Sequence, residues 1–177
     1  SIELVARGHY FDGLIAISGC DKTIPGTVMA LCRVNIPSLM IYGGSIAPGK
    51  FQHRDVTIQD VFEAVGKYNV GKMTLQELHE LEDRACPAAG ACGGQFTANT
   101  MATAFAAMGI SPMGYNDIPA MDPKKDEVCF EAGKLILNLI RKNIRPSDII
   151  TRHSLENAIA SVAMTGGSTN AVLHLLA

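Results

Sequence analysis

The sequence has no stretch approaching the ~20 continuous apolar residues that a membrane span needs, and its first residues lack the basic and apolar regions of a signal peptide. An excess of basic charge is missing too: a net charge of −2 and a pI near 6.2 argue against nucleic acid as the main partner. There is no C-x-x-C, which disfavours a thiol-redox protein. The Gly-Lys-Ser/Thr ending of a phosphate-binding loop is also absent. None of the five histidines (His9, His53, His79, His153, His174) has a partner at ligand spacing, so each reads as surface or core. Five cysteines, an odd number, are not a disulfide framework and point to a reducing compartment. Internal repeats and low-complexity stretches are lacking as well.

What is present is a globular composition: 177 residues, 47% hydrophobic and 18% charged. That is enough chain for one domain with a buried core. Both ends look cut. The chain has no initiator Met and opens in an amphipathic helix, and it stops in an apolar helix without a closing Gly, Asn or basic residue. A segment of a longer polypeptide is expected.

Leu14–Ser18 and Ser38–Tyr42 are short apolar runs bounded by Gly and Pro. They read as buried strands, parallel because a helical stretch, Pro25–Val34, lies between them. Further helices are expected after Thr57, with Val61, Phe62 and Val65 on one face, and from the capping box Thr74-x-x-Glu77 to about Arg84. Another runs from Thr97 to Met108, with Gly109 as its stop. Asp122-Pro123 reads as an N-cap and first helical residue of a helix reaching about Asn143. Its core stripe is Val128, Ala132, Leu135, Ile136, Leu139 and Ile140. Ser154 and Ser168 are candidate caps of the last two helices. The fold class is α/β: a three-layer α/β/α domain with a mostly parallel sheet.

Cys20-Asp21-Lys22 stands in the loop after the first strand, where a turn requires none of the three. Cys20 is either a buried small hydrophobe or a thiolate placed to ligate iron or zinc. Asp21 and Lys22 form either a solvated turn pair or metal-site groups. Asp21 offers a hard oxygen for Mg²⁺, whereas a protonated Lys22 cannot ligate and must be a cation, a base or chemically modified. A second thiol loop, Cys86-Pro-Ala-Ala-Gly-Ala-Cys92-Gly-Gly, runs into the helix at Thr97. Its glycines let a bulky inorganic group approach the backbone; the alternative is a glycine turn with an incidental thiol. Cys86 and Cys92 lack zinc-ribbon spacing. The Gly166–Asn170 stretch, with Ser168 and Thr169, is either an anion-binding turn or a plain capped turn.

Four stretches resemble the dihydroxy-acid dehydratase family, which includes aldonate and phosphogluconate dehydratases: Phe11–Gly26 (FDGLIAISGCDKTIPG), Ile41–Gly49 (IYGGSIAPG), Ala85–Gly94 (ACPAAGACGG) with Thr97–Met101 (TANTM), and Thr165–Leu176 (TGGSTNAVLHLL). They follow the family's order along nearly the whole chain. The chain departs from the family at Pro87-Ala88, where Pro-Gly is usual, and at Gln95-Phe96, where Met-Tyr or Met-Phe is common.

The resemblance implies an iron–sulfur cluster, 2Fe–2S or 4Fe–4S, held by three cysteines. Cys20 and Cys92 are two of these; the third lies upstream of this chain. It further implies Mg²⁺ near the cluster, with Asp21 as a ligand and Lys22 as a lysine that family members can carry as a carbamate. The serine taken as the catalytic base falls in a C-terminal domain outside the chain. Residues 1–177 would then be part of a single N-terminal cluster-binding domain. The implied substrate is a small dihydroxy acid, more like the branched-chain acids than phosphogluconate. A homodimer in the cytoplasm, or in an organelle matrix or stroma, follows from the same likeness.

Overall fold

The computed structural model describes residues 1–177. Two parallel strands form its centre, β1 (Leu14–Ser18) and β2 (Ser38–Tyr42), in register from Leu14↔Ser38 to Ser18↔Tyr42. Every residue of β2 is buried. Helix α1 (Ile2–Gly8) precedes β1, and α2 (Thr23–Val34) is the crossover between the strands. This crossover helix begins at Thr23, two residues before the expected Pro25.

Alternation along the strands divides the core between the two faces. Ala16, Met40 and Tyr42 face one side and pack with Ile24, Val28 and Leu31 of α2 and Met101 and Phe105 of α5 (Thr97–Met108). Leu39 and Ile41 face the other side, against Val128, Ala132 and Ile136 of α6 (Lys124–Lys142). Helices therefore cover both faces of a small parallel sheet, as expected of an α/β/α arrangement. The stripe foreseen on α6 is the one buried, with Leu135, Leu139 and Ile140 at its margin.

The free edge of β2 is completed by a loop instead of a third strand. Met40 N–H donates to the Ile110 carbonyl at 3.0 Å. Tyr42 N–H donates to the buried Asn116 Oδ1 at 3.1 Å. Asn116 is held in turn by the Ser111 hydroxyl and by its own donation to the Ala102 carbonyl. A buried amide thus satisfies a strand N–H that would otherwise be orphaned.

A second, smaller core was not anticipated. Between the expected elements lies an antiparallel hairpin, β3 (Gly49–Phe51) and β4 (Arg54–Val56). Its turn residues Gln52 and His53 both have positive φ, 47° and 65°. The sequence offers no Asn-Gly or Asp-Gly at this turn, the usual hairpin signal, and strands of three residues are too short to show alternation. Phe51 and Val56 pack on α3 (Ile58–Asn69) and α4 (Leu75–Ala85). On α3 it is Val61 and Ala64 that are buried, whereas Phe62 and Val65 lie exposed.

Three cap assignments shift by a residue or more. Helix α6 starts at Lys124 with Pro123 in the cap position, although the Asp122 carboxylate still accepts the Lys124 N–H. Helix α8 (Arg152–Thr165) is capped by Thr151, and Ser154 closes that box from the third helical position. Helix α9 (Asn170–Leu176) has Thr169 before it, with Ser168 Oγ accepting from Asn170 N–H. A short helix, α7 (Pro146–Ile149), joins α6 to α8. Gly109 ends α5 with φ 92°, as expected.

Candidate active site

Because β1 and β2 are parallel and end in register at Ser18 and Tyr42, their C-terminal loops emerge on one edge, where α/β sheets place ligands. Gly43 N–H donates to the Ser18 carbonyl at 2.9 Å and extends this pairing beyond the strands.

The first loop carries Cys20, Asp21 and Lys22 into α2. Thr23 organises it: its hydroxyl is bonded to the Ser18 hydroxyl at 2.9 Å and to both the N–H and carbonyl of Cys20. Cys20 is exposed, not a core hydrophobe. Its thiol lies 3.5 Å from Asp21 Oδ1, which also accepts the Lys22 N–H at 2.8 Å. The Asp21 carboxylate therefore turns to its own loop, and the Lys22 side chain projects from the exposed surface.

The second thiol loop is brought to the outgoing end of β2 by backbone pairing. Ala91 N–H donates to the Gly44 carbonyl at 2.9 Å, and Ile46 N–H donates to the Ala91 carbonyl at 2.7 Å. The Ser45↔Ala91 bridge so formed is parallel, and it sets Cys92 beside the outgoing end of β2. Gly90 must be glycine for this approach: it has φ 146°, and a Cβ there would stand 2.6 Å from Ile46 N.

Cys92 is half-buried. Burial pushes its thiol pKa up, with further upward pressure from Cys20, Asp21 and Cys86. Those influences mark one electrostatic neighbourhood shared by both loops. Cys86 itself caps the end of α4 and is exposed.

Several residues of this edge escaped the sequence reading. Tyr42 has its hydroxyl donating to Asn99 Oδ1 at 2.7 Å, and burial, followed by the nearby thiols, raises its pKa. Asn99 Nδ2 donates to the carbonyls of Cys92 (3.0 Å) and Gly94 (2.5 Å). Lys125 Nζ donates to the Tyr42 carbonyl at 2.9 Å and the Tyr115 carbonyl at 3.3 Å, and burial lowers its pKa. His174 on α9 has its Nε2 buried without a hydrogen-bond partner. Burial, then Lys22, lower its pKa while Asp21 opposes them, so this imidazole lies within reach of the first loop's charges. Nothing in the local sequence reveals Tyr42 or Lys125, because their side-chain partners, Asn99 and the Tyr42 carbonyl, lie far away along the chain.

Ser168 and Thr169 lie on the turn before α9, against the start of α5. Ser168 Oγ is bonded to Thr97 Oγ1 at 2.9 Å, and Ser168 N–H donates to Thr100 Oγ1 at 2.9 Å. Asn170 Nδ2 also donates to Thr97. The glycine turn is thus stitched to the first turns of α5. Gly167 permits the approach: a Cβ there would meet Thr100 Cγ2 at 2.7 Å. Thr169 is exposed and makes no side-chain cap bond.

Soft thiols beside a hard carboxylate suit an iron–sulfur group next to Mg²⁺. The number of donors is smaller than a full set: no three His, Cys, Asp or Glu side chains converge closely enough to hold a metal ion by themselves. The residues present fit part of such a centre. No helix is long and apolar enough to cross a membrane.

Parallel strands flanked by helices, with reactive side chains on the loops at one sheet edge, are the arrangement of an α/β enzyme domain. Residues 1–177 match the profile of the Dihydroxy-acid/6-phosphogluconate dehydratase N-terminal family, and the chain belongs to that family. It is 68% identical to a dihydroxy-acid dehydratase of Koribacter versatilis over all of this chain and 31% of that protein. Against dihydroxy-acid dehydratases of a Roseiflexus species and of Thermus thermophilus, identity is 60% and 56% over all of this chain, each covering 32% of the relative. The chain spans about a third of the length of these relatives.

Proposed function

We propose that this chain forms part of the active site of a hydro-lyase that converts 2,3-dihydroxy-3-methylbutanoate and its pentanoate homologue to 2-oxo acids in branched-chain amino-acid biosynthesis. The observation that supports the reading is that Cys20 and Asp21, on the loop after β1, and Cys92, beside the outgoing end of β2, lie on the same C-terminal edge of the parallel sheet. The similarity to dihydroxy-acid dehydratases supports the dihydroxy-acid substrate class.

In this reading Cys20 and Cys92 hold an iron–sulfur cluster, and Asp21 with Lys22 holds Mg²⁺. When bound, these groups supply Lewis acidity at the departing hydroxyl and neutralise charge at the substrate carboxylate and C2 oxygen. The C2 proton goes to a base, the C3 hydroxyl leaves as water, and the enol tautomerises to the 2-oxo acid without net redox change. Lys22 serves as an oxygen ligand only as a carbamate, since an ammonium has no lone pair to donate. Ser168 and Thr169 are the weakest assignments, because Ser168 already spends its hydroxyl on Thr97 and Asn170. A cytoplasmic or organellar homodimer belongs to the same proposal.

The test is the full-length polypeptide, reconstituted anaerobically with iron, sulfide and Mg²⁺ and assayed for 2-oxo acid formation. The branched dihydroxy acid and a panel of aldonic acids are offered side by side. Turnover of the branched acid alone supports the proposal. Turnover of aldonates alone moves the substrate to sugar acids. An intact cluster without turnover of either leaves a non-catalytic metal-binding module.

A further inference from the structure

We infer that Tyr42 and Asn99 act as a pair of positioning residues that set where the Cys92 sulfur stands relative to Cys20. The inference rests on the functional reading above for its purpose, and on hydrogen-bond geometry for its content.

Asn99 sits in the first turn of α5 and reaches back over the loop that precedes it. Its Nδ2 donates to the carbonyls of Cys92 and Gly94, on either side of Gly93. Two carbonyl acceptors fix the amide orientation, since only the NH₂ end can serve both. Oδ1 must then accept, and the donor it meets is the Tyr42 hydroxyl at 2.7 Å. Tyr42 is 1% exposed and is the last residue of β2, directly opposite Ser18 of β1. Ser18 leads through Gly19 into Cys20 and bonds to Thr23, which grips Cys20 on both sides. Hydrogen bonds at the two thiol loops are thus connected across the end of the sheet by the Ser18↔Tyr42 register pair and the Gly43 N–H to Ser18 carbonyl bond.

The direction of each bond gives the test its edge. Asn99→Asp is nearly isosteric but replaces the two-carbonyl donor by a carboxylate, which repels both acceptors. Tyr42→Phe removes the single donor to Oδ1 and leaves the Asn99 grip in place. The two substitutions should act in the same direction, with Asn99→Asp the stronger. Loss of a partner that orients a metal ligand typically costs about 10–100-fold in metal retention.

Both variants are made in the full-length polypeptide and compared with the parent in two ways. Iron and sulfide content after anaerobic reconstitution reports the centre. Alkylation of the metal-free protein by iodoacetamide, followed peptide by peptide, reports the position of Cys92, with the exposed Cys129 on α6 as internal reference. The expected result is a drop in retained iron and sulfide of about tenfold or more in Asn99→Asp. Cys92 alkylation should be several-fold faster at an unchanged Cys129 rate, and Tyr42→Phe should show a smaller change of the same sign. Parental Cys92 rates in a folded Tyr42→Phe and Asn99→Asp would overturn the inference. So would a rise of Cys129 in step with Cys92, which reports general loosening. A parent that takes up no iron or sulfide defeats the cluster reading instead, and the alkylation rates still decide the positioning role.

Discussion

The helices of the hairpin core and the two helices that leave the thiol loops begin differently. In the small hairpin core, α3 and α4 carry complete capping boxes. Thr57 pairs reciprocally with Asp60, and Thr74 with Glu77. In the sheet core, α2 follows Lys22 and α5 follows Phe96, and neither receives a side-chain cap bond. Those two helices begin immediately after the thiol loops. No side chain caps their first amides, whereas α3 and α4 close their own within three residues. The contrast lies in the two helices that leave the thiol loops, since α8 in the same sheet core has its own Thr151–Ser154 box.

The largest test of that contrast is Cys20→Ser or Cys92→Ser in the full-length polypeptide. Each should abolish the cluster's visible absorption and leave the fold intact, since neither thiol is a core residue. Normal iron and sulfide in either variant would remove that residue from the ligand set. Next comes Lys22→Arg, expected to keep the cluster spectrum and lose Mg²⁺-dependent turnover. Wild-type turnover would free Lys22 from any role in the metal site.

On the hairpin side the strongest effect should come from Gly49→Ala. A Cβ at this position would lie 1.6 Å from the Arg84 carbonyl oxygen of α4, so backbone must move. A loss of about 3 kcal/mol is expected, at the upper end of overpacking costs. Denaturant unfolding with unchanged cluster content would show the two cores to be separable.

The smallest effect is Asp60→Ala, worth about 1 kcal/mol at neutral pH for a lost cap contact. Its carboxyl pKa is held below the ordinary 3.8, first by the Thr57 N–H and then by Arg54. A depressed pKa stabilises the fold above the unfolded value, and that stability fades as pH falls through the folded one. The gap between parent and variant in urea should therefore be constant at neutral pH and narrow below pH ~4. A gap independent of pH would assign Asp60 a packing role only.

Much of the α/β layout was readable because its signals are local. Leu14–Ser18 and Ser38–Tyr42 are runs of apolar residues between turn formers, and both appear as strands with those limits. The stripe on α6 and the stop at Gly109 are likewise written into neighbouring residues. The hairpin was not readable, since Gln52 and His53 adopt positive φ without the Asn-Gly or Asp-Gly that usually marks such a turn. In the site, Cys20, Asp21, Lys22 and Cys92 stood out by composition, while Tyr42, Asn99 and Lys125 did not. A tyrosine ending a strand, an asparagine in a helix and a surface-looking lysine carry no local mark of their partners.

From residue order alone came the parallel pair of strands, the helices around them and the two loops that carry thiols, because hydrophobic period and turn chemistry act over a few residues. Tertiary structure decided that those loops meet. The Ser45↔Ala91 bridge, the Tyr42–Asn99 bond and the close approach at Gly90 each join segments far apart in the chain. Contacts of that kind depend on the packed sheet, whose buried strand β2 takes partners for its Met40 and Tyr42 N–H groups from residues far along the chain.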